Sequence, residues 1–499
     1  MAQGGVAEIT VEFTGGASEG TLLIGDEDDD GYQANVSLTD DGDDQVTVYF
    51  NTYLAGNETY PSAANGGPVW VDASDEDDEF TFDGDSNLSD VLDRGNYELA
   101  VAAETGTDQF VDTADEPDNI GTLYIEERST NSVTNWVMSN NVASDIDDFS
   151  EFEEAVENGQ VTESGSVAAT ELVGSGSGDM LVTQIDATGL EGLMQDDENA
   201  FEDGIATEAF EEALTTYQDY DSGVDVENVT GYSLSLEELN PGANQDATEV
   251  DLTDQNISNV YTDGEGNFYV VVSANEIVND EFEDGDSYEM SFDLMDSRLL
   301  DYDGDDWDSD ETDNYQTVTT EVTFEEPTVS FDVTDVDGTD YVTVGAAANQ
   351  TISGTTNIAP GTEIDLRATG TGDARFVEAI SDIVVQSDGT FSAEFDFSSY
   401  ESGAEFTARA SGGALGALDS ADQEADGMIM EAQPEETTTE PTTTEPTTTE
   451  PTTTETTTET TTETTEAPET TEAPDTTTAA PTTTSTSTPG FTMGLALVA

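Results

Sequence analysis

Apolar and polar residues alternate in short runs over the first 430 residues, and clusters of Gly, Asp and Asn interrupt them. Val6-Ala-Glu-Ile-Thr-Val-Glu-Phe13, Gln45-Val-Thr-Val-Tyr-Phe50, Tyr232-Ser-Leu-Ser-Leu236 and Tyr288-Glu-Met-Ser-Phe-Asp-Leu294 are examples. A period of two gives a strand with one face on a core, and turn residues every few positions fold such strands into sandwiches. Strands are predicted over 6–13, 20–24, 32–38, 45–50, 97–102 and 122–126, with Pro61–Asp72 as a loop. Beyond 128 the pattern mixes. Ile146, Phe149, Phe152, Ala155 and Val156 recur at helical spacing behind a Ser/Asp cap, so one helix is expected over 144–156 and a second over about 206–217. Strands resume at 232–236, 268–272, 288–294 and 318–324. From 326 to 431 seven more are expected, the count of an immunoglobulin-like sandwich.

The pattern then stops. Residues 437–488 hold 30 Thr and 10 acids with no aromatic or large aliphatic side chain, and Thr-Thr-Thr-Glu-Pro occurs three times from Thr437. Nothing there can fill a core, and such tracts read as O-glycosylated stalks, with Thr437, Thr442, Thr447, Thr452 and Thr456 as representative acceptors. Extended at about 3.1 Å per residue, the tract would reach on the order of 160 Å. Ser487 to Ala499 turns apolar, too briefly to span a bilayer, which needs about 20 residues; the sequence is therefore expected to end inside a longer segment. The predicted fold is predominantly all-β. Tandem immunoglobulin-like β-sandwich domains at 1–128, 129–325 (elaborated by helical insertions) and 326–431 precede a disordered Thr-rich stalk at 432–488 and a terminal segment at 489–499.

Charge changes the picture most. The chain carries 115 Asp+Glu against 6 Lys+Arg, a formal net charge of −109, with no Cys and no His. All six cations are arginines: Arg94, Arg128, Arg298, Arg367, Arg375 and Arg409. Nucleic acid is excluded as a partner. Without His, Cys or Lys there is no Ser-His-Asp triad, thiolate metal site, disulfide framework, Schiff base or P-loop. Carboxylate, hydroxyl and amide chemistry with hard cations remains. High net charge usually marks disorder, yet the strand runs and 20 Phe and 16 Tyr argue for a folded chain, which requires salt to screen its self-repulsion. The composition resembles that of haloarchaeal proteins.

Three acidic loops concentrate hard oxygen donors suited to Ca²⁺ or Mg²⁺. Asp26, Asp28 and Asp30 before Gly31 match the first half of an EF-hand, but position twelve is Ser37 and a strand precedes it, so the loop is not an EF-hand. Asp301, Asp303 and Asp305 surround Gly304, and Asp335, Asp337 and Asp340 surround Gly338. Six N-glycosylation sequons begin at Asn35, Asn57, Asn87, Asn228, Asn256 and Asn349; Asn35 and Asn349 adjoin predicted strands, where burial would block them. Arg367, Arg375 and Arg409 are expected in ion pairs within or between subunits.

A Thr/Glu/Pro stalk followed by Pro489-Gly490-Phe491 and an apolar stretch resembles the C-terminus of haloarchaeal S-layer glycoproteins. Gln350-Thr-Ile-Ser-Gly-Thr-Thr-Asn-Ile-Ala-Pro-Gly-Thr-Glu363 and Val385-Gln-Ser-Asp-Gly-Thr-Phe-Ser-Ala-Glu-Phe-Asp396 resemble their membrane-proximal domain. The resemblance implies an extracellular lattice of identical subunits bearing N- and O-glycans, and an archaeosortase that recognises Pro-Gly-Phe, removes the following helix and attaches a lipid anchor to the membrane. Only the tripeptide and the start of that helix are present; the basic tail is missing. Two other functions compete: a non-lattice adhesin with the same anchor and, ranked last, a secreted hydrolase using paired carboxylates.

Overall fold

A computed structural model describes residues 1–432, apart from 57–66, 72–77, 85–87, 89–90, 104–116, 171–177, 195–200, 215–230, 254, 279–281, 297 and 301–314, together with the backbone of 493–496. The chain is predominantly β, as its alternation predicts, and its sheets pack in pairs.

The first pair is built from β1 (Val6–Glu12), β2 (Glu19–Ile24), β3 (Ala34–Thr39), β4 (Gln45–Asn51), β5 (Val69–Val71), β6 (Glu79–Gly84), β7 (Gly95–Ala103) and β8 (Asn119–Ile125). The strand order β6-β3-β2-β7-β8 faces β1-β4-β5 across a core that includes Ile9, Val11, Leu22, Val36, Val48, Phe50 and Leu99. The expected loop at Pro61–Asp72 contains β5, because Val69, Trp70 and Val71 pair with Phe50, Tyr49 and Val48 and bury their side chains.

The second pair uses β9 (Thr130–Met138), β10 (Val161–Glu163), β11 (Ser166–Ala168), β12 (Met180–Ala187), β13 (Tyr232–Glu238), β14 (Glu249–Asp251), β15 (Ile257–Thr262), β16 (Asn267–Ser273), β17 (Asp286–Leu294) and β18 (Gln316–Glu325). Sheet β10-β9-β12-β16-β15 packs on β11-β18-β17-β13-β14. Between them Tyr232 lies 4.8 Å from Phe210 and 5.3 Å from Phe292, ring centre to ring centre. Each such fully buried side chain contributes about 1.5–3 kcal/mol.

The predicted helix over 144–156 is two helices, α1 (Asn140–Asp145) and α2 (Phe149–Glu157). Asp148 ends the run by capping the second: its Oδ1 accepts the Glu151 N–H, while Glu151 Oε2 reaches back to accept the N–H of Asp147, the residue before the cap. The helices place Val142, Ile146 and Phe152 on the outer face of β9, β12 and β16 as a second core layer. Three further short helices follow, α3 (Glu191–Met194), α4 (Thr207–Glu212) and α5 (Ala274–Ile277). The fourth is shorter than predicted, and residues from 215 lie outside the described set.

The third pair comprises β19 (Val329–Phe331), β20 (Thr334–Val336), β21 (Thr339–Gly345), β22 (Gln350–Thr356), β23 (Glu363–Gly370), β24 (Val377–Val384), β25 (Thr390–Phe395), β26 (Glu405–Ser411) and β27 (Glu424–Met430). Sheet β19-β22-β25 faces β20-β21-β27-β26-β23-β24 across a core including Ile352, Leu366, Phe391, Phe397 and Phe406. Nine strands replace the expected seven: β20 is separate from β19 and forms a hairpin with β21 closed by Asp337 and Gly338, both with positive φ, and β27 inserts between β21 and β26. The backbone of Met493–Ala496 forms β28, parallel to β1, rather than the opening of a helix; it satisfies an edge that β1 otherwise leaves unpaired.

Candidate functional site

The acidic loops use their carboxylates on their own backbone. Asp26 Oδ1 accepts the N–H groups of Asp28 and Asp29 at 2.8 and 3.0 Å, and Asp30 Oδ2 accepts that of Asp26 at 3.0 Å. Asp335 Oδ1 accepts the Gly338 N–H at 3.2 Å, and Asp340 sits opposite Asp335 in the hairpin ladder. Neither set brings three carboxylate oxygens together for one ion. Among the described residues the trio that does converge is Asp40, Asp41 and Asp43, on the β3–β4 turn, which the sequence reading passed over. Asp40 there is buried and caps the Asp44 N–H. Asp301, Asp303 and Asp305 lie outside the described residues.

Of the sequons, Asn349 is exposed on the β21–β22 turn at φ 55°. Asn35 lies inside β3, opposite Leu23 and Asp83, with its Oδ1 buried. Asn256 caps its own turn by accepting the Thr253 N–H and donates to the Glu276 carbonyl. Asn57, Asn87 and Asn228, the stalk threonines Thr437, Thr442, Thr447, Thr452 and Thr456, and Pro489, Gly490 and Phe491 lie outside the described residues. Arg409 Nε donates to Gln423 at 2.8 Å. The ion pair found among the described residues is Arg94–Glu127, 2.8 Å apart and mostly solvated.

The most elaborate chemistry sits where one sandwich meets the next. Asn51 ends β4; its Oδ1 accepts the Tyr53 and Leu54 N–H groups, while its Nδ2 donates 2.8 Å to the Gly192 carbonyl of the second sandwich. The Gly192 N–H returns a bond to the Gly4 carbonyl. A Cβ at Gly192 would come within 2.3 Å of that carbonyl and 2.5 Å of Asn51 Oδ1, so only glycine permits this approach. Tyr53 Oη donates to Asp296 at 3.0 Å, and fully buried Asp296 also accepts the Gly231, Arg298 and Leu299 N–H groups. The Arg298 guanidinium donates to the Tyr53 carbonyl and lies 4.9 Å from the ring centre, a cation–π contact. Arg128, 8% exposed, donates to Gln316 and Thr130. Burial pulls its pKa down to about 10 against the opposing pull of nearby Asp296 and Glu191; burial pushes Glu191 up to about 7.

The second junction turns on Asp179, 3% exposed at the start of β12. Its Oδ2 accepts the Ala359 N–H of the third sandwich at 2.7 Å, its own N–H donates to the Ala168 carbonyl, and its carbonyl accepts the Ala274 N–H. Burial pushes this carboxyl from 3.8 up to about 7, partly opposed by the Ala359 bond. Below about pH 4 both the folded and unfolded chains hold the proton. Between 4 and 7 the unfolded chain releases it first, so the native state loses stability as pH rises, and the loss is complete above 7. A displacement of that size corresponds to about 4 kcal/mol. Asp179→Asn should therefore raise stability at pH 8 by about 2–4 kcal/mol and leave it unchanged near pH 4, measured by denaturant unfolding in molar salt. Equal gains at both pH values would show that titration is not the cause.

These junction residues were missed in the sequence because their partners are remote: Tyr53 and Asp296 are 243 positions apart. A shallow depression of about 500 Å³ at one end of the third sandwich is lined in part by Asp373, Arg375, Phe376, Tyr400 and Glu401. Asp179, Glu191 and Asp296, whose carboxyls burial pushes up, are not among its lining residues.

A family described as a domain of unknown function, DUF7827, matches residues 1–104. The chain is 35% identical over 455 residues to the "Cell surface glycoprotein" of Haloferax gibbonsii, covering 87% of this chain and 44% of that protein. It is 31% identical over 442 residues to "Cell surface glycoprotein 1" of Haloarcula hispanica, covering 86% and 44%. The chain thus spans under half the length of the curated relatives it matches. The resemblance to haloarchaeal cell surface glycoproteins is borne out, and extends well upstream of the membrane-proximal segment that carried it in the sequence.

Proposed function

We propose, from this likeness to haloarchaeal cell surface glycoproteins, that the chain is part of a structural subunit of an extracellular surface lattice, glycosylated and held to the membrane through its C-terminus. The observation that carries the reading is the pair of sandwich junctions. Buried Asp, Arg and Asn side chains are spent on joining consecutive sandwiches, an investment suited to a coat element that keeps its shape rather than to chemistry in a cleft. The displaced carboxylates support the same reading, because each is occupied by backbone N–H donors where a glycoside hydrolase would hold an open pair across a sugar.

Cations have two parts in this account. Monovalent salt screens the carboxylate surface, and Ca²⁺ or Mg²⁺ bridges acidic faces between copies, with the Asp40–Asp41–Asp43 turn as one place where carboxylates already converge. Electron microscopy of isolated envelopes in molar KCl tests the reading. A periodic array containing this chain is expected, and chelation at constant KCl should dissolve it. Envelopes without order would overturn the lattice, and order indifferent to chelator would overturn the divalent bridge. Glycopeptides from the same envelopes should carry sugar at exposed Asn349 and none at Asn35 within the sheet.

A further inference from the structure

The strand β24 is the terminal strand of the six-stranded sheet, and no strand among the described residues pairs with its outer side. It has neither Lys nor Pro, and its edge is guarded only by the carboxylates of Glu378 and Asp382 and by one bulge. It does expose Val377 (54%), Ile380 (38%) and Val384 (42%), three of the eight large apolar side chains so exposed among the described residues. On a chain of net charge −109, a place where two copies can touch without opposing carboxylates is rare.

We infer that β24 pairs antiparallel with β24 of a second copy of this chain, joining two six-stranded sheets about a twofold axis at Ile380, the centre of the strand once the Ser381–Asp382 bulge counts as one position. The strand is self-complementary in that register. Val377 falls opposite Val384 of the second copy, and both lie on the outer face, as their neighbours Thr369 and Glu363 on β23 show. Glu378 meets Ile383 and Asp382 meets Ala379, so no carboxylate directly faces another. Asp382 also enters a row that continues through Ala379 to Arg367. A slip of one residue in either direction would turn apolar positions to the wrong face, and in one direction it would also set Glu378 against Asp382 twice. The bulge at Ser381–Asp382, with Asp382 at φ 60°, bends the strand near the axis and resists such sliding. An isologous contact of this kind supplies one interface of a two-dimensional array, and to that extent the inference rests on the lattice reading.

The chain has no cysteine, so engineered thiols report cleanly. In about 3 M KCl, where screening is nearly complete, oxidation of V377C/V384C should convert most of the protein to a covalent dimer, while V377C or V384C alone should give little. V377K/V384K should unfold at the wild-type temperature yet raise the dimer dissociation constant at least tenfold by sedimentation. Efficient cross-linking of either single variant, or none in the double variant, overturns the register. A wild-type protein that stays monomeric at every concentration overturns the pairing. If V377K/V384K is monomeric and envelopes bearing it still form ordered arrays, this inference falls and the lattice stands; if wild-type dimers form and no array exists, the lattice reading falls alone.

Discussion

Moving the protein from about 3 M KCl into buffer of about 0.05 M should unfold it without denaturant, because the screening length grows from under about 3 Å to more than about 10 Å. Two charges 8 Å apart in water repel by about 0.5 kcal/mol, and with 109 uncompensated charges each has several neighbours at that range. The sum reaches tens of kcal/mol, against a typical folding stability of about 5–15 kcal/mol. Internal compensation is scant: the Arg94–Glu127 pair is solvated, with side chains 63% and 76% exposed. Trp70 and Trp136 report the event, since Trp70 is buried against Tyr49 and Trp136 donates to Gln184 beside the α2 layer. Their fluorescence should shift to the red as near-ultraviolet dichroism collapses, and restored KCl should reverse both. A chain that keeps its dichroism in dilute buffer would show that screening is not what holds the fold.

Replacing Asp296 should cost more than any exposed change. Its carboxylate takes the Tyr53 hydroxyl and the Gly231, Arg298 and Leu299 N–H groups with no exposure to solvent, so Asp296→Ala removes the acceptor of four buried hydrogen bonds. Removing one side of such a buried network costs about 3–5 kcal/mol. Arg94→Ala, at the solvated pair, should cost under about 0.5 kcal/mol, and molar salt reduces even that. Unfolding both variants in molar KCl gives the comparison. A difference below about 1 kcal/mol would mean that the junction is not held by this carboxylate. Tyr53→Phe removes one donor alone and should fall between the two.

The contrast between these sites explains what could be read from sequence. Strands with one wet face, such as β13 and β17, were legible because their alternation is simple. The strand β12 was not, because Leu181 faces the inter-sheet core while Met180 and Val182 face the helices, which erases the period of two. The split between α1 and α2 was hidden because Asp148 sits on the polar side of an otherwise continuous helical stripe. The expected helix at 206–217 proved shorter because apolar spacing does not fix where a helix stops. Exposed acidic loops announced themselves, whereas the buried acids that join the sandwiches did not: among 115 carboxylates, nothing local distinguishes Asp179 or Asp296 from a solvated neighbour. Long-range topology makes that distinction.

The helical layer on the second sandwich also sets the traffic between molecules. With α1 and α2 seated on β9, β12 and β16, that sheet is occupied on both sides and offers neighbours no flat face. In the proposed lattice, a neighbouring copy that met this face would touch helices rather than strands, leaving sheet contacts to other surfaces of the molecule. Within the proposed coat, that layer would make the middle sandwich the stiffer member and the contacts between copies the softer one.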